Sequence, residues 1–496
     1  MPAKFAIGID LGTTNSALAF TPLGVDRAKV ELLPIPQLVA TATIEPRNLL
    51  PSFLYLGTEQ DMKSKSFDLP WATKRDFSVG LFAQKQAADV PTRSVAGAKS
   101  WLCNSRADRH AAILPWNAPP EVARISPVEA SRRYLEHLIG AWTAAFPDAP
   151  IAEQQVVLTV PASFDASARE LTREAALAAG LPENLVLLEE PQAALYAWLA
   201  DMGDQWRRKL KVNDTLLVCD VGGGTTDLTL IQVTQENGEL QLRRMAVGNH
   251  LLVGGDNMDL ALAHFVRTAF AEKGVELNAW QAVALWHSCR NAKETLLAAK
   301  GPKKHPVTVL GSGRRVIGGA ISVGLERDAA EKLLVDGFFP HCKITDRSER
   351  RRSSGFREIG LPFESDTAIT KHLAEFLSAH GGDTGPIKPT HILFNGGVFK
   401  ADALRDRLLA TLADWFDGKS APAVLEGRHD LDYAVARGAA YYATAKQGKG
   451  VRIRGGTARS YYVGIETAGL AIPECPDPSA PSASSPSAWK KVPKPT

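Results

Sequence analysis

One element occurs twice in this chain and constrains everything else. Residues 7–20 read IGIDLGTTNSALAF. Apolar Ile7 and Ile9 make a short buried strand that ends on Asp10. The chain then turns through Gly12, Thr13, Thr14, Asn15 and Ser16, and residues 17–20 read as a return strand. The stretch therefore predicts a hairpin with a polar tip. A glycine lets the backbone approach a ligand with no Cβ in the way. Successive backbone N–H groups in such a turn form a concave anion site, and the hydroxyls of Thr13 and Thr14 add donors. Asp10 sets a carboxylate at the mouth of that site. Beside a phosphate this makes sense only with a divalent cation between them, which points to Mg2+. Taken alone, the stretch is also compatible with an ordinary Gly-Thr turn.

The second copy lies at residues 216–231, LLVCDVGGGTTDLTLI. A buried strand again ends in an aspartate, Asp220. Glycines follow at Gly222, Gly223 and Gly224, then Thr225, Thr226 and Asp227 open a second strand. Repetition of one element suggests an internal duplication. Two such hairpins could grip one triphosphate from both sides.

These stretches, IDLGTTNS and DVGGGTTD, resemble the phosphate-binding motifs of the seventy-kilodalton heat-shock chaperones, the DnaK-like family within the actin-like ATPases. The likeness continues in the family's order through VVLTVPASFDASARE, LLEEPQAALYAWL, GGDNMD, ILFNGGV and DYAVARGAA, covering roughly residues 1–445. The ordered series is more specific than any single motif. It implies an α/β, duplicated actin-like (ribonuclease H-like) ATPase fold with two lobes around a central nucleotide cleft, taking ATP or ADP with Mg2+. The implied domains are lobe I at residues 1–210, with its upper part near 48–122, and lobe II at 211–427, with its upper part near 254–328. A helix at 428–446 would close lobe I, leaving 447–496 for a linker, a vestige of the substrate-binding β-domain and a disordered tail.

The resemblance also assigns residues. Backbone groups at Gly12, Thr13, Thr14 and Asn15, and at Gly222, Gly223, Gly224 and Thr225, would hold phosphates. Asp10 and Asp220 would hold Mg2+ through its water shell, which that ion gives up reluctantly. Lys99 stands at the family's catalytic lysine and would reach the γ-phosphate and attacking water as a point charge. A surface lysine on an amphipathic helix is the alternative. Glu190 ends a buried strand where the family carries the glutamate that orients water or the hydrated metal. A helix N-terminal glutamate favoured by the dipole is the other reading. Asp227 and Thr225 would support the water. Gly254 and Gly255 resemble the turn before a long helix.

A helix over residues 280–300 would lie over adenine and ribose. In it Lys293 keeps the family's basic position, with a solvated helix face as the bland alternative. Arg290 replaces an acidic residue and Leu297 a small hydroxyl, so base selectivity is expected to be looser than in the family. Gly396 and Gly397 would let the backbone pass under the nucleoside. Lys400 would replace the stacking arginine without its planar group.

Composition excludes several classes. Lys and Arg number 57 against 54 acidic residues, a net charge of +3, which does not suggest a nucleic-acid or membrane partner. The five cysteines are scattered without CxxC spacing, which argues for reduced thiols in the cytoplasm and against zinc. No run of about 18 apolar residues and no signal peptide is read. No GxxxxGK[ST] loop exists: Gly418-Lys419-Ser420 comes close, but position 413 is alanine. GxSxG, HExxH and GxGxxG are missing as well.

Residues 345–357, basic and serine-rich, read as an exposed insertion loop, with a docking patch for an acidic partner as the alternative. Residues 461–467, YYVGIET, give one strand-like run, and from 470 onward Pro, Ser and Ala predict a disordered tail. In the family a GIET-like strand opens the peptide-binding β-domain. The expectation here is an ATPase engine without the groove for an unfolded client. A co-chaperone and a nucleotide-exchange factor are the partners the resemblance implies. Three functions stay open: a chaperone-type ATPase that converts ATP and water to ADP and phosphate, a nucleotide-gated interaction module with little turnover, and a sugar-kinase-like phosphotransferase, for which no acceptor motif is seen.

Overall fold

The computed structural model describes residues 2–25, 28–116, 118–311, 319–349, 361, 363–382, 385–416, 418, 421–427, 431–446 and 451–454. The mixed α/β chain builds several sheets, of which two, six-stranded, dominate.

The first contains β1 (Phe5–Leu11), β2 (Asn15–Pro22), β3 (Glu31–Leu32), β4 (Leu50–Pro51), β5 (Gln155–Val160) and β6 (Val186–Glu189). Their order is β6-β5-β1-β2-β3, with β4 also on β2. The second contains β7 (Thr215–Val221), β8 (Thr226–Glu236), β9 (Glu239–Val247), β10 (His391–Asn395), β11 (Ala423–Val424) and β12 (Ile453–Arg454), ordered β11-β10-β7-β8-β9-β12. The two share one plan. A leading strand, β1 or β7, folds back antiparallel on β2 or β8 and pairs parallel with β5 or β10 on its other side. Both leading strands carry their aspartate at the penultimate position.

Alternation on β1 explains its packing. Ile7, Ile9 and Leu11 enter one core, while Ala6 and Gly8 face the other side. That second face must be small because a helix lies on it. A Cβ at Gly8 would stand 2.3 Å from both the Ala436 carbonyl oxygen and the Ala440 nitrogen. Ala17 and Ala19 of β2 pack on the same helix.

The helices that bear on the site are α1 (Ala98–Leu102), α2 (Pro127–Ala145), α3 (Ala166–Ala178), α4 (Glu190–Met202), α5 (Gly255–Glu272), α6 (Ala279–Leu296) and α7 (Ala434–Thr444). α4 and α7 form a pair packed against both sheets, sharing one core with Val157 and Leu188 of the first and Leu216, Val218 and Ile231 of the second. The pair is tight because Gly438 has no side chain: a Cβ there would meet the Ala193 carbonyl oxygen at 1.7 Å. Trp198 and Trp206, both essentially unexposed, fill the same core. Rings of that size each bury about 200 Å2, worth about 5 kcal/mol of transfer free energy as an upper figure.

Some elements differ from expectation. The helix expected over 280–300 stops at Leu296, with Leu297 as its cap. After α4 the chain breaks at Gly203, whose φ of +49° ends the helix; a 3-10 turn and the short helix Trp206–Lys209 follow. The segment after residue 28 holds a hairpin, Ile35–Ala40 with Thr43–Arg47, and a three-stranded antiparallel sheet. Ile453–Arg454, read as linker, adds parallel to β9. The strand-like run 461–467, the tail from 470 and most of the basic run 345–357 lie outside the described residues. Among the described residues no helix is long and apolar enough to cross a membrane.

Candidate functional site

Both hairpin tips open into one cavity of about 990 Å3. Asp10, Gly12, Thr13, Thr14 and Asn15 line it from the first tip, and Asp220, Gly222, Gly223 and Thr225 from the second. Lys99, Glu190, Gly255, Arg290, Lys293, Gly396, Gly397 and Lys400 complete the set of expected residues on its wall. The tips touch. A Cβ at Gly223 would lie 2.0 Å from Thr14 Oγ1, and one at Gly224 would lie 3.0 Å from Thr13 Cγ2.

Three expected residues do not line the cavity. Gly224 turns toward Ser100, whose Oγ would be 2.4 Å from an added Cβ. Gly254 sits behind the second tip, where a Cβ would meet the Gly222 carbonyl oxygen at 2.6 Å. Asp227 points toward the turn after β5 and accepts from the Ser163 backbone N–H at 3.1 Å. Their glycine or carboxylate chemistry serves the support of the tips.

Each leading aspartate is oriented by the parallel strand beside it. Thr159 of β5 donates to Asp10 Oδ1 at 3.1 Å. Asn395 of β10 donates to Asp220 Oδ2 at 2.8 Å. Neither donor was singled out from sequence, yet strand register carries the signal. Leu158 stands opposite Ile9, so Thr159 is beside Asp10; Asn395 stands opposite Asp220.

The floor of the cavity is rich in carboxyl groups. Burial pushes Asp10 up to about 7, with Lys99 opposing and Glu190 adding to the rise. Burial, then Glu190, raises Asp220 well above the usual carboxylate range, against the Asn395 hydrogen bond. Glu190 is also raised by burial despite Lys99. Burial alone would lower Lys99, but Glu190 and Asp10 hold it above the ordinary lysine value. Lys99 ion-pairs with Glu190, the first residue of α4. One lysine among Asp10, Asp220, Glu190 and Asp227 leaves carboxylates uncompensated, which suits a divalent cation chemically. Among the described residues no group of three or more His, Cys, Asp or Glu is arranged to hold a metal directly.

Arg290 is not free to face a base. Its Nη2 reaches Asp256 Oδ1 at 2.5 Å and its Nε reaches Asp259 Oδ2 at 2.9 Å, with the side chain 8% exposed. Lys293 is not on a solvated face: Nζ lies 2.7 Å from Asp259 Oδ1 and donates to the Gly255 carbonyl at 3.0 Å. The two cations of α6 thus clamp the first turn of α5 under the second tip. Asp256 and Asp259 sit three apart on α5, and Arg290 and Lys293 three apart on α6. That spacing sets the two carboxylates on one face of α5 and the two cations on one face of α6. Lys400, half exposed, pairs with Asp432 at the cavity wall.

Comparison with known proteins agrees with this architecture. The profile of the family described as Hsp70 protein matches residues 73–336. Chaperone protein HscA of Xenorhabdus nematophila is 31% identical over 276 residues, 53% of this chain and 38% of that protein. Chaperone protein HscA of Enterobacter sp. (strain 638) is 30% identical over 276 residues, again 53% of this chain and 38% of the relative. A Chaperone protein HscA homolog of Haemophilus influenzae is 30% identical over 282 residues, 53% of this chain and 37% of the relative. The match thus spans less than half the length of these relatives.

Proposed function

This chain belongs to the Hsp70 family, and we propose that it binds and hydrolyses ATP as a chaperone-type protein, using turnover to open and close two lobes. The observation that carries the reading is the meeting of two Asp-Gly-Thr hairpin tips at one cavity rich in carboxylates. The finer fold in this reading is the duplicated actin-like one, with lobe I at 1–210, lobe II at 211–427 and the helix at 428–446 closing lobe I. The shared strand order of the two sheets supports it.

In this reading backbone N–H groups of Gly12 to Asn15 and of Gly222, Gly223 and Thr225 bind the phosphates. Asp10 and Asp220 would hold Mg2+, which would supply charge neutralisation of the phosphates. Lys99 places a positive charge where negative charge builds on the transferring group. Glu190, fixed by Lys99, accepts a proton from the attacking water. Water oxygen bonds to the terminal phosphorus while the bond to the bridging oxygen breaks, and ADP leaves with that electron pair. Thr225 and Asp227 steady this arrangement, Asp227 through Ser163. Gly255, Lys293, Gly396, Gly397 and Lys400 frame the nucleoside.

A co-chaperone, a nucleotide-exchange factor and a cytoplasmic setting belong to the same proposal. Free Cys103, Cys219, Cys289 and Cys342 suit a reducing compartment. A second reading, nucleotide binding with little turnover, is favoured by one observation: the Glu190 carboxylate is already engaged by Lys99. Phosphate release from Mg-ATP with no acceptor present tests both. Turnover abolished by Asp10→Asn is expected. Saturable ATP binding with no release supports the second reading, and unchanged turnover in a folded Asp10→Asn variant overturns the two-hairpin site.

A further inference from the structure

Asp256 lines a second cavity as well as the first. This one measures about 440 Å3 and lies between the stretch 91–116 and the start of α6. Four indoles line it, those of Trp101, Trp116, Trp280 and Trp286. The rings of Trp101 and Trp116 stand 4.8 Å apart, tilted by 33°, and Trp116 is exposed. Trp286 and His287 pair in the same way at 4.9 Å and 32°. A concave space of this size, largely aromatic with a few polar groups, has the form of a small-molecule site.

Charge on its wall is already spent. Among the described residues Asp256 is the one charged residue lining it, and it pairs with Arg290. That guanidinium stands 5.5 Å from the centre of the Trp286 ring, so the attraction of this ring for a cation is taken. His287 is neutral: burial and Arg290 lower it from 6.5 to about 3. Trp286 donates its N–H to the Asp256 carbonyl at 3.2 Å. Trp101, Trp280 and His287 make no hydrogen bond among the described residues. An indole nitrogen only donates, and a neutral imidazole donates once and accepts once. We propose that this cavity binds a small, uncharged, planar heteroaromatic ligand that carries carbonyl or ring-nitrogen acceptors. The flat ring meets the indole faces, and its acceptors take the N–H groups that the protein leaves unmet. A ring without acceptors would bury those N–H groups dry, and a cation would meet Arg290.

Lumichrome, an uncharged fused-ring compound with two carbonyls, is the probe, titrated into the full chain without nucleotide. Stacking on the indoles should quench its emission saturably, with a dissociation constant on the order of 10 μM. Naphthalene, flat but without acceptors, should displace it only at about tenfold higher concentration or more. Tetramethylammonium should not displace it. Trp116→Leu and Trp280→Leu, at positions outside the lining of the larger cavity, should each weaken lumichrome binding about tenfold or more. Trp116 is exposed, so its variant keeps the core if Trp280→Leu fails to fold. Absence of saturable quenching, displacement by tetramethylammonium, equal potency of naphthalene, or an affinity that no folded variant changes overturns the proposal. Because no nucleotide is present, none of these results bears on the ATP reading of the larger cavity.

Discussion

Lys99 and Glu190, 91 residues apart, meet in a buried ion pair with side chains only 9% and 12% exposed. α1 delivers the lysine and the first turn of α4 delivers the glutamate. Lys99→Ala should leave nucleotide affinity nearly unchanged and lower turnover about a hundredfold, the order of effect for losing one preorganised charge. Single-turnover phosphate release beside direct binding separates the two. Release at the parent rate would reduce Lys99 to a structural partner of Glu190.

Gly223 makes a sharper test of the joined tips. Its missing side chain is where Thr14 Oγ1 sits, 2.0 Å from an added Cβ. Gly223→Ala should push the tips apart and weaken nucleotide binding about tenfold or more. Removing Thr14 Oγ1 as well, in a Gly223→Ala/Thr14→Ala double variant, should lose less than the sum of the singles, because contacting residues couple. Strictly additive losses would mean that the tips do not sense each other.

The tips were legible in the sequence because their signals are local. Alternating apolar residues, an aspartate at a strand end and a Gly-Thr turn all fall within a dozen positions. Asp10's partner Thr159 and Asp220's partner Asn395 required strand register, which a single sequence carries only by analogy between the two copies. The protein partners of Arg290 were missed for a physical reason. Its partners, 34 and 31 residues back, lie on another helix. A buried arginine is spent on them before any ligand arrives. The pairing of Ile453–Arg454 was invisible because two residues carry no periodicity.

Arg290→Ala should therefore unfold the protein more easily. It leaves Asp256 and Asp259 buried without their shared partner, and breaking such a set costs about 3–5 kcal/mol. Arg290→Lys should recover only part, because a single ammonium cannot reproduce the forked geometry. Urea midpoints give the loss. The GTP-to-ATP affinity ratio, measured on whichever variant stays folded, should stay at the parent value. A shifted ratio with unchanged stability would return Arg290 to the role of a base reader.

His137 gives the chain a specific acid sensitivity. It lies on α2, 2% exposed, with Nε2 3.0 Å from the Pro36 carbonyl oxygen and the Trp71 ring edge-on at 5.5 Å. A carbonyl can only accept, so Nε2 carries the proton. Burial, reinforced by Arg75 and opposed by the Pro36 hydrogen bond, lowers the imidazole from 6.5 to about 3. The unfolded chain therefore takes up this proton first as the pH falls. Stability from the neutral ring is fully present above 6.5 and is lost progressively between 6.5 and about 3. At pH 5 the loss amounts to about 2 kcal/mol. His137→Gln keeps an N–H for the Pro36 carbonyl but cannot titrate. Between pH 7 and pH 5 the parent should lose about 2 kcal/mol more than this variant, read as the difference in urea-unfolding free energies. Equal losses would mean that the folded ring accepts a proton as readily as the unfolded one.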